Sequence, residues 1–497
     1  MFLGIDLGTS SVKAVLVDDA GALVDEAAAP LTVSRPRPLW SEQDPHDWWQ
    51  ASVAAVAGLA AQRRAAVRGV GLSGQMHGAV LLDAGHHTIR PAILWNDGRA
   101  AAACRELERR EPRSRAITGN LAMPGFTAPK LVWVAAHEPQ HFARVAHVLL
   151  PKDWLRLRLT GELVSEPSDA AGTLWLDVAA RRWSHAMLAA CGMDERQVPR
   201  LVEGTEVSGR LTRDAAAALG LPTGTPVAGG GGDNACGAVG IGVVDPGEAF
   251  LSLGTSGVIF VVDDRVRPDP DRGVHAFCHC VPERWHRMAV MLSGAGTLSF
   301  VARLVGASSE RDLVERVEAA GSSAPSHDRL VMLPYLSGER TPHNDPCASG
   351  VFFGLTGETG AVDLGRAALE GVAFALADGL EALEAGGGRV GPLSVIGGGS
   401  RSRHWGRIIA AALDRPLAYA RGGEVGPALG AARLARIATG AASVADACTR
   451  PSVDEVVEPD PALQAALAPR RAVFRRLYGD LAETFAASAS PAGEPLR

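Results

Sequence analysis

Lysine is nearly absent from this sequence: of 49 basic residues, only Lys13, Lys130 and Lys152 are lysines. A P-loop needs a Gly-Lys-Ser/Thr step whose lysine reaches the nucleotide phosphates. None of the three lysines follows a glycine, so nucleotide chemistry here would require another phosphate grip. The His-Arg-Asp and Asp-Phe-Gly signatures of protein kinases are also missing.

Cysteine is scarce and scattered. Seven in 497 residues, an odd number, do not form a disulfide framework, which favours reduced thiols and a cytoplasmic location. There is no uninterrupted apolar run of the ~18 residues a membrane span requires. The first residues, MFLGIDLGTSSVK, meet a carboxylate at Asp6, so a signal-peptide apolar core is not expected. Strong positive charge is lacking too. A net charge of −6 and a pI near 6.2 exclude a general nucleic-acid binder.

What is present is glycine, 57 residues of it, in a chain too long for one ordinary core. FLGID, the turn Leu7-Gly8-Thr9-Ser10 and VKAVLVD read as a hairpin. Residues 248–262, EAFLSLGTSGVIFVV, read the same way, and the tetrapeptide LGTS recurs at 7–10 and 253–256. A four-letter repeat can be coincidence, but the shared strand–turn–strand context points to two related halves. The stretch 227–247 between them is glycine-dense, with Asp245-Pro246-Gly247 as a turn, and reads as a passage between domains. Residues 362–384 have helical spacing, 393–397 read as a buried strand, and a helix is expected from Ser402. Alternating strands and helices argue for an α/β architecture. The arginines at 470, 471, 475 and 476 read as a solvated helix face, and the tail from 486 as a flexible end.

Glycine-rich tips after strands are anion sites, because their backbone N–H groups converge without a Cβ in the way. Each LGTS turn alone is only a turn, but two of them could hold a polyphosphate from opposite sides of a cleft. Asp6 either caps its turn or holds Mg²⁺ beside a phosphate loop. The run Gly229-Gly230-Gly231-Gly232-Asp233-Asn234 matches G-x-G-x-x-A over 230–235. A dinucleotide site is the wrong reading, since Asp233 in the turn would repel a pyrophosphate. Asp233 is either a general base or the Asx-turn of a helix start. Gln75-Met76-His77, with Trp95-Asn96-Asp97, suits a polar ligand against an aromatic wall, although a lone histidine can be structural. Cys278 and Cys280 share one face of a strand while His275 and His279 share the other, which does not make a converging zinc set.

Taken in order, these segments resemble the FGGY carbohydrate kinases. The likeness runs through GIDLGTSSVK (4–13), WSEQDPHDWW (40–49), SGQMHG (73–78), ILWNDGR (93–99), MPGFTAPKLVW (123–133) and LPKDWLRLRLTG (150–161). It continues through GGGDNACGAVG (230–240), SLGTSG (252–257), LPYLSGERTPHND (333–345), GVFFGLTGETGAVDLGRAALEG (350–371), GGGSRSRHW (397–405) and GPALGAA (426–432). One departure is the fourth glycine before Asp233, where three are expected.

The resemblance implies an α/β protein of two related domains with the actin-, hexokinase- and chaperone-type (ribonuclease H-like) ATPase fold. The active site would lie in the cleft between residues 1–245 and 246–485, with 486–497 a flexible tail. It implies ATP and Mg²⁺ as cofactors, Asp6 at the metal, and Thr9, Ser10 and Lys13 on the first phosphate loop. Gly254 and Thr255 would form the second loop, and Gly398, Gly399 and Arg403 the adenosine site. Met76, His77, Trp95 and Asn234 would contact the sugar, with Asp233 as base. The segments at 40–45 and 75–78 are most similar to those of members acting on D-xylulose, and a homodimer is implied. A nucleotide-switched binding protein would need neither base nor sugar pocket, and a dehydrogenase would rest on the glycine match alone.

Overall fold

The computed structural model describes residues 1–321, 329–420 and 426–489. In the first half, β1 (Phe2–Leu7), β2 (Ser11–Val17), β3 (Leu23–Pro30), β4 (Gly69–Gly74), β5 (Val207–Arg210) and β6 (Pro226–Ala228) form one sheet in the order β3-β2-β1-β4-β6-β5. A two-residue strand, β7 (Gly231–Gly232), pairs with the end of β4.

In the second half, β8 (Ala249–Leu253), β9 (Gly257–Asp263), β10 (His275–Cys278), β11 (Trp285–Met291), β12 (Leu393–Ile396), β13 (Leu417–Ala420) and β14 (Val453–Val457) form the order β10-β11-β9-β8-β12-β13-β14. Apart from the extra edge strand β10, the sheets match pair by pair. Each reads antiparallel, antiparallel, parallel, parallel, antiparallel from its three-stranded meander outward. The repeated LGTS turns therefore join equivalent hairpins, β1–β2 and β8–β9.

The parallel pairs are near-continuous apolar runs, as expected for strands covered on both faces. Leu3, Ile5, Val70 and Leu72 are fully buried in one sheet, Leu251 and Leu393 in the other. The expected interdomain passage holds more structure than its glycine content suggests. Residues 233–240 form helix α1 (Asp233–Gly240), and the passage itself is confined to the residues that follow. Helices α2 (Ala295–Leu304), α3 (Ala361–Ala385), α4 (Arg403–Leu413), α5 (Gly426–Ala438) and α6 (Pro461–Ala489) complete the elements used below. The Ser402 side chain caps α4 by accepting from the Trp405 N–H.

Helix α5, from the second half, lies across the sheet of the first. Glycine makes this possible: a Cβ on Gly4 would sit 1.9 Å from the Ala428 carbonyl oxygen, and one on Gly71 1.8 Å from that of Ala431. Helix α1 packs on α5 in the same way, with Gly430 against the Cys236 carbonyl. The two halves are thus joined by backbone-close packing as well as by the chain.

The arginines of α6 are not a solvated face. Arg470 makes a two-pronged bond to Glu370 (2.7 and 2.9 Å), and Arg471 and Arg475 converge on Asp378. Glu370 and Asp378 are buried on α3, so these arginines clamp α6 to it, and only Arg476 points outward. Of the expected flexible tail, 486–489 belong to α6 and 490–497 lie outside the described residues. No helix among the described residues is long and apolar enough to cross a membrane.

Candidate active site

The site begins with one row across the first sheet: Lys13, Asp6, Ser73 and Gly231 are successive register partners. Strands are spaced ~4.8 Å apart, which puts Asp6 and Gly231 about 10 Å apart. Asp233, two residues beyond Gly231, opens α1 beside the ends of β1 and β4.

All four glycines before Asp233 are required by contact. A Cβ would meet the Glu203 carbonyl at Gly229, the Leu72 carbonyl at Gly230, the Cys236 sulfur at Gly231 and the Met76 sulfur at Gly232. Gly230 also has φ +74°. Asp233 accepts the Asn234 N–H (2.7 Å) and the Asn234 side-chain amide (2.9 Å) on Oδ1. The Asx-like contact and a free second oxygen coexist, because Oδ2 has no partner among the described residues. Burial pushes the Asp233 carboxyl up to about 7, the charge of Asp6 pushes it further, and the Asn234 bonds hold it back.

Asp6 is also pushed up, to about 6, by burial, with Ser73 and Lys13 opposing. Its Oδ1 is buried without a hydrogen-bond partner. The described residues contain no group of three or more His, Cys, Asp or Glu placed around a metal. An orphaned carboxylate oxygen beside a second raised carboxylate suits a divalent ion whose other ligands are water and phosphate.

His77 stands at φ +69°, its Nδ1–H donating to the Gly172 carbonyl (2.8 Å). That bond leaves Nε2 as an acceptor. Burial holds the imidazole down at about 3, so it is neutral at working pH. Met76 is only 4% exposed and fills the space between Gly172 and Gly232. Trp95 is 43% exposed and donates its indole N–H to the Thr9 hydroxyl (2.9 Å). Thr9 in turn donates to Gln75 (3.0 Å), so its hydroxyl ties the first LGTS turn to the segments carrying Gln75 and Trp95. Ser10 is exposed, and Lys13 reaches Glu26 at 3.0 Å.

The second turn rests on α2. Gly254 and Thr255 accept the Ala295 and Gly296 N–H groups at 2.8 and 3.1 Å. Gly397, at φ +88°, and Gly399 pack on Leu253, which brings the Gly-rich turn after β12 against the end of β8. Gly398 and Gly399 line a cleft of about 670 Å³ with Leu298, Val314, Trp405 and Arg403. Arg403 is already engaged, bonding Glu455 at 2.6 Å and lying 3.8 Å over the Tyr419 ring.

Several functional groups carried no sequence signal. Beneath the Asp233 turn lies a buried set of Lys152, Asp153, Glu166 and Asp169, with Lys152 2.7 Å from Asp153 and 3.5 Å from Asp169. Ser168 in the same segment accepts the Gly232 N–H at 3.1 Å. Neither Asp169 oxygen has a hydrogen-bond partner, only the Lys152 amine at ion-pair distance, and burial raises that carboxyl well above its ordinary range. Arg340, from the second half, brings its positive charge to bear on His77 and His275. The segments LPKDW and ERTPH contain Lys152, Asp153 and Arg340 and could have flagged them, whereas Glu166, Ser168 and Asp169 stand in no such segment. The Cys278-His279-Cys280 segment is packed into the core, where Cys278 donates to Val178 and His279 lies edge-on to the His286 ring.

Matched meander sheets, paired glycine turns and a raised carboxylate at a helix start are the arrangement that the sequence resemblance implies. Family models for the FGGY carbohydrate kinases match residues 1–240 (N-terminal domain) and 249–439 (C-terminal domain), and the chain belongs to this family. It is 53% identical to the xylulose kinase of Escherichia coli over 97% of this chain and 99% of that one. Among solved structures, a xyloylose (xylulose) kinase from Brucella ovis is 48% identical with a TM-score of 0.92, covering 97% of this chain and 99% of the other. The xylulose kinase of Rhodospirillum rubrum is 31% identical with a TM-score of 0.89, covering 98% and 99%.

Proposed function

We propose that this protein transfers the γ-phosphoryl group of ATP to the C5 hydroxyl of D-xylulose, giving ADP and D-xylulose 5-phosphate. The observation that carries the reading is Asp233: a half-buried carboxylate with one unpaired oxygen at the start of α1, next to Gly232, which packs against Met76. The near-full-length likeness to proteins named xylulose kinase supports the choice of sugar.

Asp233 accepts the C5 hydroxyl proton as that oxygen bonds to the γ-phosphorus and the bond to the β-phosphate oxygen breaks. Phosphoryl transfer is loose, so catalysis is mostly positioning and charge stabilisation. Asn234 orients the base. His77 Nε2 accepts from a sugar hydroxyl, Met76 closes the floor, and Trp95 forms the wall. The turns at Thr9, Ser10 and Lys13 and at Gly254 and Thr255 hold the phosphates from opposite domains. Gly398, Gly399 and Arg403 hold the adenosine side. Asp6 would hold Mg²⁺, which would supply positive charge to offset that of the phosphates. Residues 1–245 and 246–485 act as the two domains, and the enzyme works as a cytoplasmic homodimer with reduced cysteines.

The test is a coupled ADP-release assay over pentuloses, hexuloses and polyols. D-xylulose should give the highest kcat/KM. A clear preference for another acceptor, or no acceptor-dependent ADP release, would overturn the reading.

A further inference from the structure

Lys130 lies outside every role assigned above. Its side chain is fully buried, and its amine donates to two main-chain carbonyls, His77 at 2.8 Å and Gly125 at 2.7 Å. The acidic group whose charge reaches it, Asp97, is taken by Arg99 at 2.6 Å. A buried amine without its own counter-ion is costly, and burial holds Lys130 well below the usual lysine range. Charged or neutral, it retains the two N–H groups these carbonyls need.

Both acceptors belong to the sugar side of the site. The His77 carbonyl follows a left-handed φ of +69°, which an L-residue holds only where its surroundings enforce it. Thr127 donates to the same carbonyl at 3.0 Å, and the ring is fixed from the other end by Gly172. Phe126 meets the His77 ring edge-on at 4.7 Å. Gly125 lies against Trp95: a Cβ there would be 2.4 Å from the Trp95 carbonyl oxygen. One amine therefore ties together the segments carrying His77 and Trp95.

We infer that Lys130 is a positioning residue for the acceptor sugar, setting the direction of His77 Nε2 and the closeness of the Trp95 wall without touching substrate. The inference rests on the kinase reading above. It separates from a merely structural role because it predicts a loss confined to the sugar.

The test measures sugar and nucleotide dissociation constants by calorimetry, the sugar in the presence of a non-hydrolysable ATP analogue, with KM and kcat alongside. Lys130→Met, which keeps the apolar stem, should weaken sugar binding about 10–100-fold and leave nucleotide binding within about twofold. Thr127→Val, a milder loss at the same carbonyl, should weaken the sugar less and serves if Lys130→Met does not fold. In a His77→Gln background Thr127→Val should cost less than about threefold, because its effect runs through His77 alone, and Lys130→Met should lose part of its cost and keep the part that runs through Gly125 and Trp95. Unchanged sugar affinity, equal losses for sugar and nucleotide, or full additivity with His77→Gln would each overturn the inference. The unsubstituted protein is assayed in parallel. If it does not use D-xylulose, the functional reading fails, and the Lys130 variants are judged with the acceptor it does use.

Discussion

The negative charge of Asp6 on β1 raises the pKa of Asp233, which opens α1 just past β7, the short strand two places away in the same sheet. Burial had already lifted Asp233, and together they bring it to about 7. A base poised near neutrality suits proton transfer in this reaction. The kcat/KM for the sugar should therefore fall about tenfold per pH unit below pH 7. A profile flat from pH 8 to pH 5 would contradict this.

Asp233→Ala should lose about 10²–10⁴-fold in kcat while still binding ATP. Steady-state kinetics with nucleotide titration checks both halves. Near-normal turnover would remove Asp233 from the role of base.

The raised pKa has a cost in stability. The folded state takes up a proton between the ordinary value of 3.8 and about 7, so its stability falls as pH rises through that window. Asp233→Asn should be more heat-stable than the parent at pH 8, on the order of 1–3 kcal/mol. The gain should vanish below pH 4, where both carry no charge there. Thermal unfolding at the two pH values is the measurement.

Thr9 carries two bonds that join the first LGTS turn to Gln75 and Trp95. Thr9→Val should cost about 1 kcal/mol per bond and raise KM for sugar and ATP together. A change in only one KM would show that the two sides are not linked there.

Arg470→Ala should destabilise the fold by about 1.5–3 kcal/mol, because it removes a two-pronged bond to the Glu370 carboxylate, which is buried at 6% exposure. Paired with Glu370→Gln it should cost little more than Glu370→Gln alone, because the two share that bond. Chemical denaturation of the single and double variants tests whether these arginines hold α6 in place.

Much of the plan was legible in the residues. The two LGTS hairpins, the strand into Gly397 and the helix capped by Ser402 all follow from local patterns, and each stands where expected. Local chemistry could not say which side a charged helix face meets, so the α6 arginines read as solvated although they grip α3. Nor could it place α1 inside a glycine-rich passage. Gly237 and Gly240 weaken an isolated helix, but here close packing on α5 supports it.

By itself, the sequence determined the absence of a P-loop, the repeat and the candidate base, because turns, strand runs and motif order are local properties of the chain. Tertiary structure alone decided what the three lysines do. Lys13 pairs with Glu26 beside the first turn, Lys152 is sunk among carboxylates under Asp233, and Lys130 holds the carbonyls of His77 and Gly125. The reason is physical: a lysine's role depends on the groups that replace water around its amine, and those groups come from segments far apart in the chain.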